Sequence, residues 1–147
     1  MKAFIVDDAP IILSIIAFML DKEGIDSHYS TEVNDALYDE IAEYAPDVII
    51  LDLYLKSHDG VAVAKRIHEI EDLKNTPIIA ISHSHDLFSR VMLNSKDFAN
   101  YLEKPVVKEK LLPLVNTYGS IGKILNVGKQ LLKGNTDDSD TKPDSKT

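Results

Sequence analysis

Short unbroken apolar runs recur along the chain at residues 3–6, 48–51 and 77–81. This is the pattern of strands buried on both faces of a sheet. Residues 25–30 read as a further strand and residues 100–102 as a short fifth one. Between them lie stretches of helical spacing. Pro10 suits a first helical turn, and the apolar residues after it run to Leu20 before an Asp-Lys-Glu-Gly stop. Residues 33–44 predict a second helix, broken by Pro46. Residues 60–70 place Val63, Ala64, Ile67 and Ile70 on one helical face, which leaves His68 facing outward. Residues 87–96 predict a fourth helix, and a last one begins at Lys108, with Pro113 expected to kink it or delay its start. Strands alternating with helices at this interval imply parallel βαβ units, an α/β fold whose sheet is covered on both faces.

Charge and composition narrow the function. Sixteen basic against twenty-four acidic side chains give a net charge of −8, which repels nucleic acid and anionic membranes. No cysteine is present, so disulfides, a thiolate nucleophile and Cys-ligated zinc are excluded, in agreement with a reducing cytoplasm. Ile11 to Leu20 is too short an apolar stretch to span a bilayer, and the N-terminal residues do not read as a signal peptide.

The polar residues that end the apolar runs carry the chemistry. In a parallel sheet the C-terminal strand ends share one edge, where open α/β sheets bind ligands. Asp7 and Asp8 close the first strand, Asp52 the third and Ser82 the fourth, and Lys104 follows the fifth. All five groups are therefore expected in one crevice. Clustered carboxylates repel one another unless a cation intervenes. Oxygen-only ligation favours a hard ion, and a site that also handles phosphate favours Mg²⁺. Carboxylate, metal, ammonium and hydroxyl together make an inventory for phosphoryl transfer to an aspartate.

The motifs "VDD", "LDLYLKSHDG", "IAIS" and "YLEKP" stand in an order and spacing that resembles the receiver domain of two-component response regulators, over roughly residues 1–118. The resemblance implies a flavodoxin-like, doubly wound five-stranded parallel sheet of order 2-1-3-4-5. It implies that Asp52 accepts a phosphoryl group from the phosphohistidine of a histidine kinase or phosphotransfer protein. It implies that Asp7 and Asp8 hold Mg²⁺, completed by Asp52 and the Tyr54 carbonyl. Lys104 would bond the phosphoryl oxygens, the Lys104-Pro105 peptide would be cis, and Ser82 and Tyr101 would form a switch pair. Such a chain has no enzymatic output beyond its own phosphorylation and dephosphorylation, and it signals to a downstream protein target as chemotaxis regulators do. A phosphorelay intermediate is the alternative, and a phosphorylation-independent binding module a further one.

Each residue also has a plainer reading. Asp8 before a helix is commonly an N-cap, Ser82 a helix-start serine, Lys104-Pro105 a turn. "SHSH" at 82–85 reads as solvated histidines rather than a metal site. A phosphatase of the haloacid dehalogenase type would carry a second acid two residues after Asp52, where Tyr54 stands. The chain also departs from the receiver pattern. Lys56 replaces a proline usual after the phosphoacceptor, His83 replaces a small residue, and Phe98 stands where alanine is common. These departures put the loop after Asp52 and the fourth helix in question.

Two features lie outside the motifs. The first helix has a predicted core stripe of Ile12, Ile15, Ile16, Met19 and Leu20, yet Ile11, Leu13, Ala17 and Phe18 make its other faces apolar too. Residues 119–133 carry apolar residues at near-helical spacing but three glycines, so they predict an amphipathic helix that needs tertiary packing. They are expected either to lie over the first helix or to bridge a homodimer. Residues 134–147 have almost nothing apolar and are expected to be disordered.

Overall fold

The computed structural model describes every residue except Ser84, His85 and Thr147, and the side chains of all the others except Leu87, Phe88 and residues 134–146. Of the segment 134–147, expected to be disordered, the helical backbone of 134–146 alone is described, and Ser84 and His85 of the "SHSH" stretch lie outside the described residues. The strands are β1 (Lys2–Val6), β2 (Asp26–Ser30), β3 (Val48–Asp52), β4 (Ile78–Ser82) and β5 (Asn100–Glu103). They pair in parallel in the order β2-β1-β3-β4-β5. The helices are α1 (Pro10–Lys22), α2 (Asp35–Tyr44), α3 (Gly60–Glu69), α4 (Leu87–Leu93) and α5 (Lys108–Lys146), with a 3-10 turn at Glu71–Leu73.

Strand alternation divides the core in two. Phe4, Val6, Ile49, Leu51, Ile78 and Ala80 pack on one face with α2 and α3, through Leu37, Ile41, Val63 and Ile67. Ala3, Ile5, Val48, Ile50, Ile79 and Ile81 pack on the other with α1 and α5, through Leu13, Ile16, Leu20, Leu111 and Val115. Because β1, β3 and β4 are covered on both sides, they read as continuous apolar runs rather than alternating ones. Local signals set the helix ends. Asn34 caps α2 by accepting from Leu37 N at 3.1 Å, and Ala45 closes it in the left-handed region at φ 52° ahead of Pro46.

The buried stripe of α1 is Leu13, Ile16 and Leu20, with Ile12 and Met19 on its flanks. Ile15, expected in the core, is 43% exposed. The helix is apolar almost all round, so spacing alone did not fix its rotation. His68 does not face solvent. Its Nδ1 lies 3.0 Å from Asp97 Oδ1 and its Nε2 2.9 Å from the Thr76 carbonyl. Residues 119–133 do not lie over α1 as a separate helix. They continue α5 past Tyr118 and pack against the opposite, N-terminal edge of the sheet. Asn126 Nδ2 donates to the Pro46 carbonyl (3.1 Å) and to Asp47 Oδ1 (2.9 Å), and Lys133 pairs with Asp72 at 3.1 Å.

Candidate functional site at the C-terminal edge of the sheet

Strand register brings the expected residues level. Val6 pairs with Leu51 and Asp52 with Ile81, so Asp7 and Asp52 end adjacent strands side by side, with Ser82 one residue further along β4. Ser82 pairs with Glu103, so Lys104 leaves β5 directly beside them, and its N–H donates to the Ser82 carbonyl at 2.8 Å. The Lys104-Pro105 peptide is cis.

Lys104 Nζ stands 2.7 Å from Asp7 Oδ2 and 3.1 Å from Asp52 Oδ2, and all three side chains are nearly or fully buried. Asp7 Oδ1 accepts from Ala9 N at 2.9 Å, while Asp52 Oδ1 accepts from Tyr54 N at 3.0 Å. Burial pushes the Asp7 carboxyl above the usual carboxylate range, although Lys104 opposes that rise. Burial also works against the Lys104 ammonium, but the close contact with Asp7 and the charge of Asp52 outweigh it and hold Lys104 above its ordinary value.

Asp8 completes the cluster. It does not cap α1, whose N-cap is Ala9 with no side-chain bond. Its Oδ2 instead accepts from Lys56 N at 2.6 Å. A proline at position 56 has no N–H to give, so the departure at Lys56 adds a tie between Asp8 and the loop after β3. Oxygens of Asp7, Asp8 and Asp52 lie within 4.8 Å of one another. The Asp7 Oδ2 contact with Lys104 is an ion pair without hydrogen-bond alignment, so this buried oxygen has no hydrogen bond among the described residues. Three carboxylates against one ammonium leave a formal surplus of two negative charges. An oxygen-only pocket with that surplus fits a hard divalent cation.

Other groups surround this centre. Tyr54 forms an isolated bridge with Asp59, which puts its carbonyl in the loop beside Asp52, and its hydroxyl donates to Asp86 Oδ1. Gly60 is required at the start of α3, because a Cβ there would stand 2.4 Å from the Asp52 carbonyl. Ser82 is buried, and Tyr101 is partly buried against the core face that α2 and α3 cover. His83 is exposed.

Sequence reasoning missed a second polar network. Arg90 Nη2 reaches Asp59 Oδ1 at 2.6 Å and its guanidinium sits 5.1 Å from the centre of the Tyr54 ring, tying α4 to the loop after β3. Asp59 also caps α3 through Val61 N at 3.0 Å, a role its place before Gly60 could have signalled. Nothing in the sequence signals the buried pairing of Asp97 with His68 and Lys65. Phe98 is buried in the core beside it.

Several solved structures share this fold. The chemotaxis protein CheY4 of Vibrio cholerae is 21% identical, with a TM-score of 0.72, over 80% of this chain and 97% of that one. A putative response regulator of Chloroflexus aurantiacus is 24% identical at a TM-score of 0.72, over 81% and 97%. The receiver domain of NtrX from Brucella abortus is 23% identical at 0.71, over 80% and 98%. No helix among the described residues is long and apolar enough to cross a membrane. The model of the response regulator receiver domain matches residues 3–116, and with it the chain belongs to the receiver domain family of two-component signalling.

Proposed function

We propose that the chain is a response-regulator receiver whose signal is a phosphoryl group on Asp52. The observation that carries the reading is Lys104 Nζ held between Asp7 and Asp52, at 2.7 and 3.1 Å, with Asp8 alongside. An oxygen of Asp52 would attack the phosphorus of a phosphohistidine on a kinase or phosphotransfer protein. The new P–O bond forms as the P–N bond breaks, and the histidine leaves as neutral imidazole once it has taken a proton. Lys104 has the charge and reach to bond a phosphoryl oxygen arriving at Asp52. Asp7, Asp8, Asp52 and the Tyr54 carbonyl would hold Mg²⁺, which when bound neutralises charge on the transferring group.

Ser82, one residue past the level of Asp52 on the neighbouring strand, offers a hydroxyl to a phosphoryl oxygen. Its movement would make room for Tyr101 to turn inward, a two-state element biased by a local change of charge. The output is then a changed protein contact, in the manner of a chemotaxis regulator or of a relay that returns phosphate to a phosphotransfer protein.

Acetyl phosphate with Mg²⁺ tests the chemistry. Wild type is expected to label, and Asp52→Asn to lose all Mg²⁺-dependent label; undiminished labelling of that variant refutes the assignment. Ser82→Ala is expected to accept phosphate yet fail to shift partner affinity.

A further inference from the structure

Residues 119–133 are built inside out. Asn126, Lys129 and Lys133 face the body of the domain, where they meet the Pro46 carbonyl, Asp47 and Asp72. Gly122 is pressed so closely on the Asp47 carbonyl that a Cβ there would stand 1.7 Å away, which fixes the rotation of the helix. Its apolar side chains consequently point outward. Ile121, Ile124, Leu125, Val127, Leu131 and Leu132 are between 40% and 72% exposed.

The exposed residues are ordered. Ile121, Ile124 and Leu125 are repeated seven residues later by Gly128, Leu131 and Leu132. A seven-residue repeat of this kind makes a seam for another helix, since 3.5-residue spacing keeps one face toward a helical partner. Gly128 lies within the seam, and a Cβ there would meet nothing within 4 Å, which leaves room for a second backbone to come close. Towards the start of α5 the same stripe runs back through Leu114 to Val107, which borders an apolar groove with Ile15 and Phe18 of α1.

We infer that this face is the interface of a homodimer, in which the outward stripe of α5 pairs with its copy in a second chain. Charge and area select that occupant. The seam positions from 124 to 128 carry no charge, so two copies meet without repulsion. The five apolar side chains of the stripe, exposed to this degree, present roughly 500 Å² per copy, about 1,000 Å² when doubled, the size a specific interface has to clear. An anionic membrane is the poorer match: the chain carries a charge of −8, and Lys129 and Lys133 already serve Asp72.

Sedimentation equilibrium of the full chain tests this, alongside acetyl phosphate labelling and thermal melting of each variant. Wild type is expected to approach twice 16.4 kDa at tens of micromolar, independently of Mg²⁺ and phosphodonor. Ile124→Glu with Leu131→Glu is expected to raise the dimer dissociation constant by about 100-fold or more, with labelling and melting retained. Leu131→Ser alone is expected to weaken it by about tenfold and covers the case in which the double variant folds poorly. A wild-type mass of 16.4 kDa throughout overturns the inference, as does a dimer indifferent to both variants. Leu131-dependent binding to phosphatidylglycerol vesicles by a monomeric chain overturns it in favour of a membrane surface.

Discussion

Replacing Lys104 by methionine keeps most of the side-chain volume and removes the one ammonium between Asp7 and Asp52. At 2.7 and 3.1 Å, and an effective dielectric constant of about 20, the two attractions come to about 6 and about 5 kcal/mol. Most of that is offset by the cost of burying the three charges, so the pair is no measure of net stabilisation. Removing only the cation is different, because the two carboxylates stay buried and lose their partner. The expected loss is about 3–5 kcal/mol at neutral pH without divalent ions. For a domain of this size it lowers Tm by about 10–20 °C. Because these three side chains are nearly or fully buried, raising the salt concentration should change the loss little.

The assay is calorimetry of wild type and Lys104→Met, each in chelator and in millimolar Mg²⁺. A divalent ion bound to the carboxylates restores positive charge, so Mg²⁺ is expected to raise the variant's Tm more than that of wild type. Adding Asp7→Asn to Lys104→Met is expected to recover a large part of the loss, a strong departure from additivity. If Lys104→Met melts within a degree or two of wild type in chelator, the buried-charge account of this site is wrong.

Three further outcomes follow from other contacts. Lys56→Pro removes the N–H that Asp8 Oδ2 accepts, so chemical denaturation should show a loss of about 1–3 kcal/mol, partly offset by the stiffer unfolded chain, whereas Lys56→Ala keeps the N–H and should change little. Asp97 is raised by burial but held below its ordinary value of 3.8 by the hydrogen bonds from His68 and Lys65, so the stability it supplies is present above pH 3.8 and lost as pH falls below that through its folded value. Melting across that range should show wild type leading Asp97→Asn at neutral pH and the lead closing in acid. Gly122→Ala drives a methyl into the Asp47 carbonyl, so amide exchange over 119–133 should quicken by about tenfold or more while acetyl phosphate labelling of Asp52 is unchanged.

The strands and the crevice were legible because they rest on short-range signals. A both-faces-buried strand is a run of four or five apolar residues, and a carboxylate at its end is conspicuous against that run, as at Asp7 and Asp52. The five crevice residues could be grouped without coordinates because parallel strands put their C-terminal ends on one edge. What could not be read was any contact set by rotation or by distant packing. α1 is apolar on most faces, so its own spacing allowed Ile15 inside as readily as Leu13. His68 and Asp97 are 29 residues apart, and neither sits in a pattern that marks it as buried. Asp8 looked like a helix cap because a cap is the local use of aspartate, whereas its partner, Lys56 N, is 48 residues away.

The extension of α5 shows what apolar spacing alone leaves open there. A helix that lies against the face of a sheet meets side chains, so it turns its apolar residues inward. A helix that crosses the N-terminal edge meets loops instead. Here those loops offer the Pro46 and Asp72 carbonyls and the carboxylates of Asp47 and Asp72, all acceptors. Pro46 and Asp47 are buried, and burying such groups without donors is costly, whereas the exposed Asp72 adds a surface contact. The helix therefore has to bring donors to the contact, and Asn126, Lys129 and Lys133 do so at spacings of three and four residues, which keeps them on one face. Once that face is committed to hydrogen bonding, the apolar face is forced outward by geometry. The outward stripe is thus a consequence of where the helix docks, and covering it requires a surface that this chain does not supply from within its described fold.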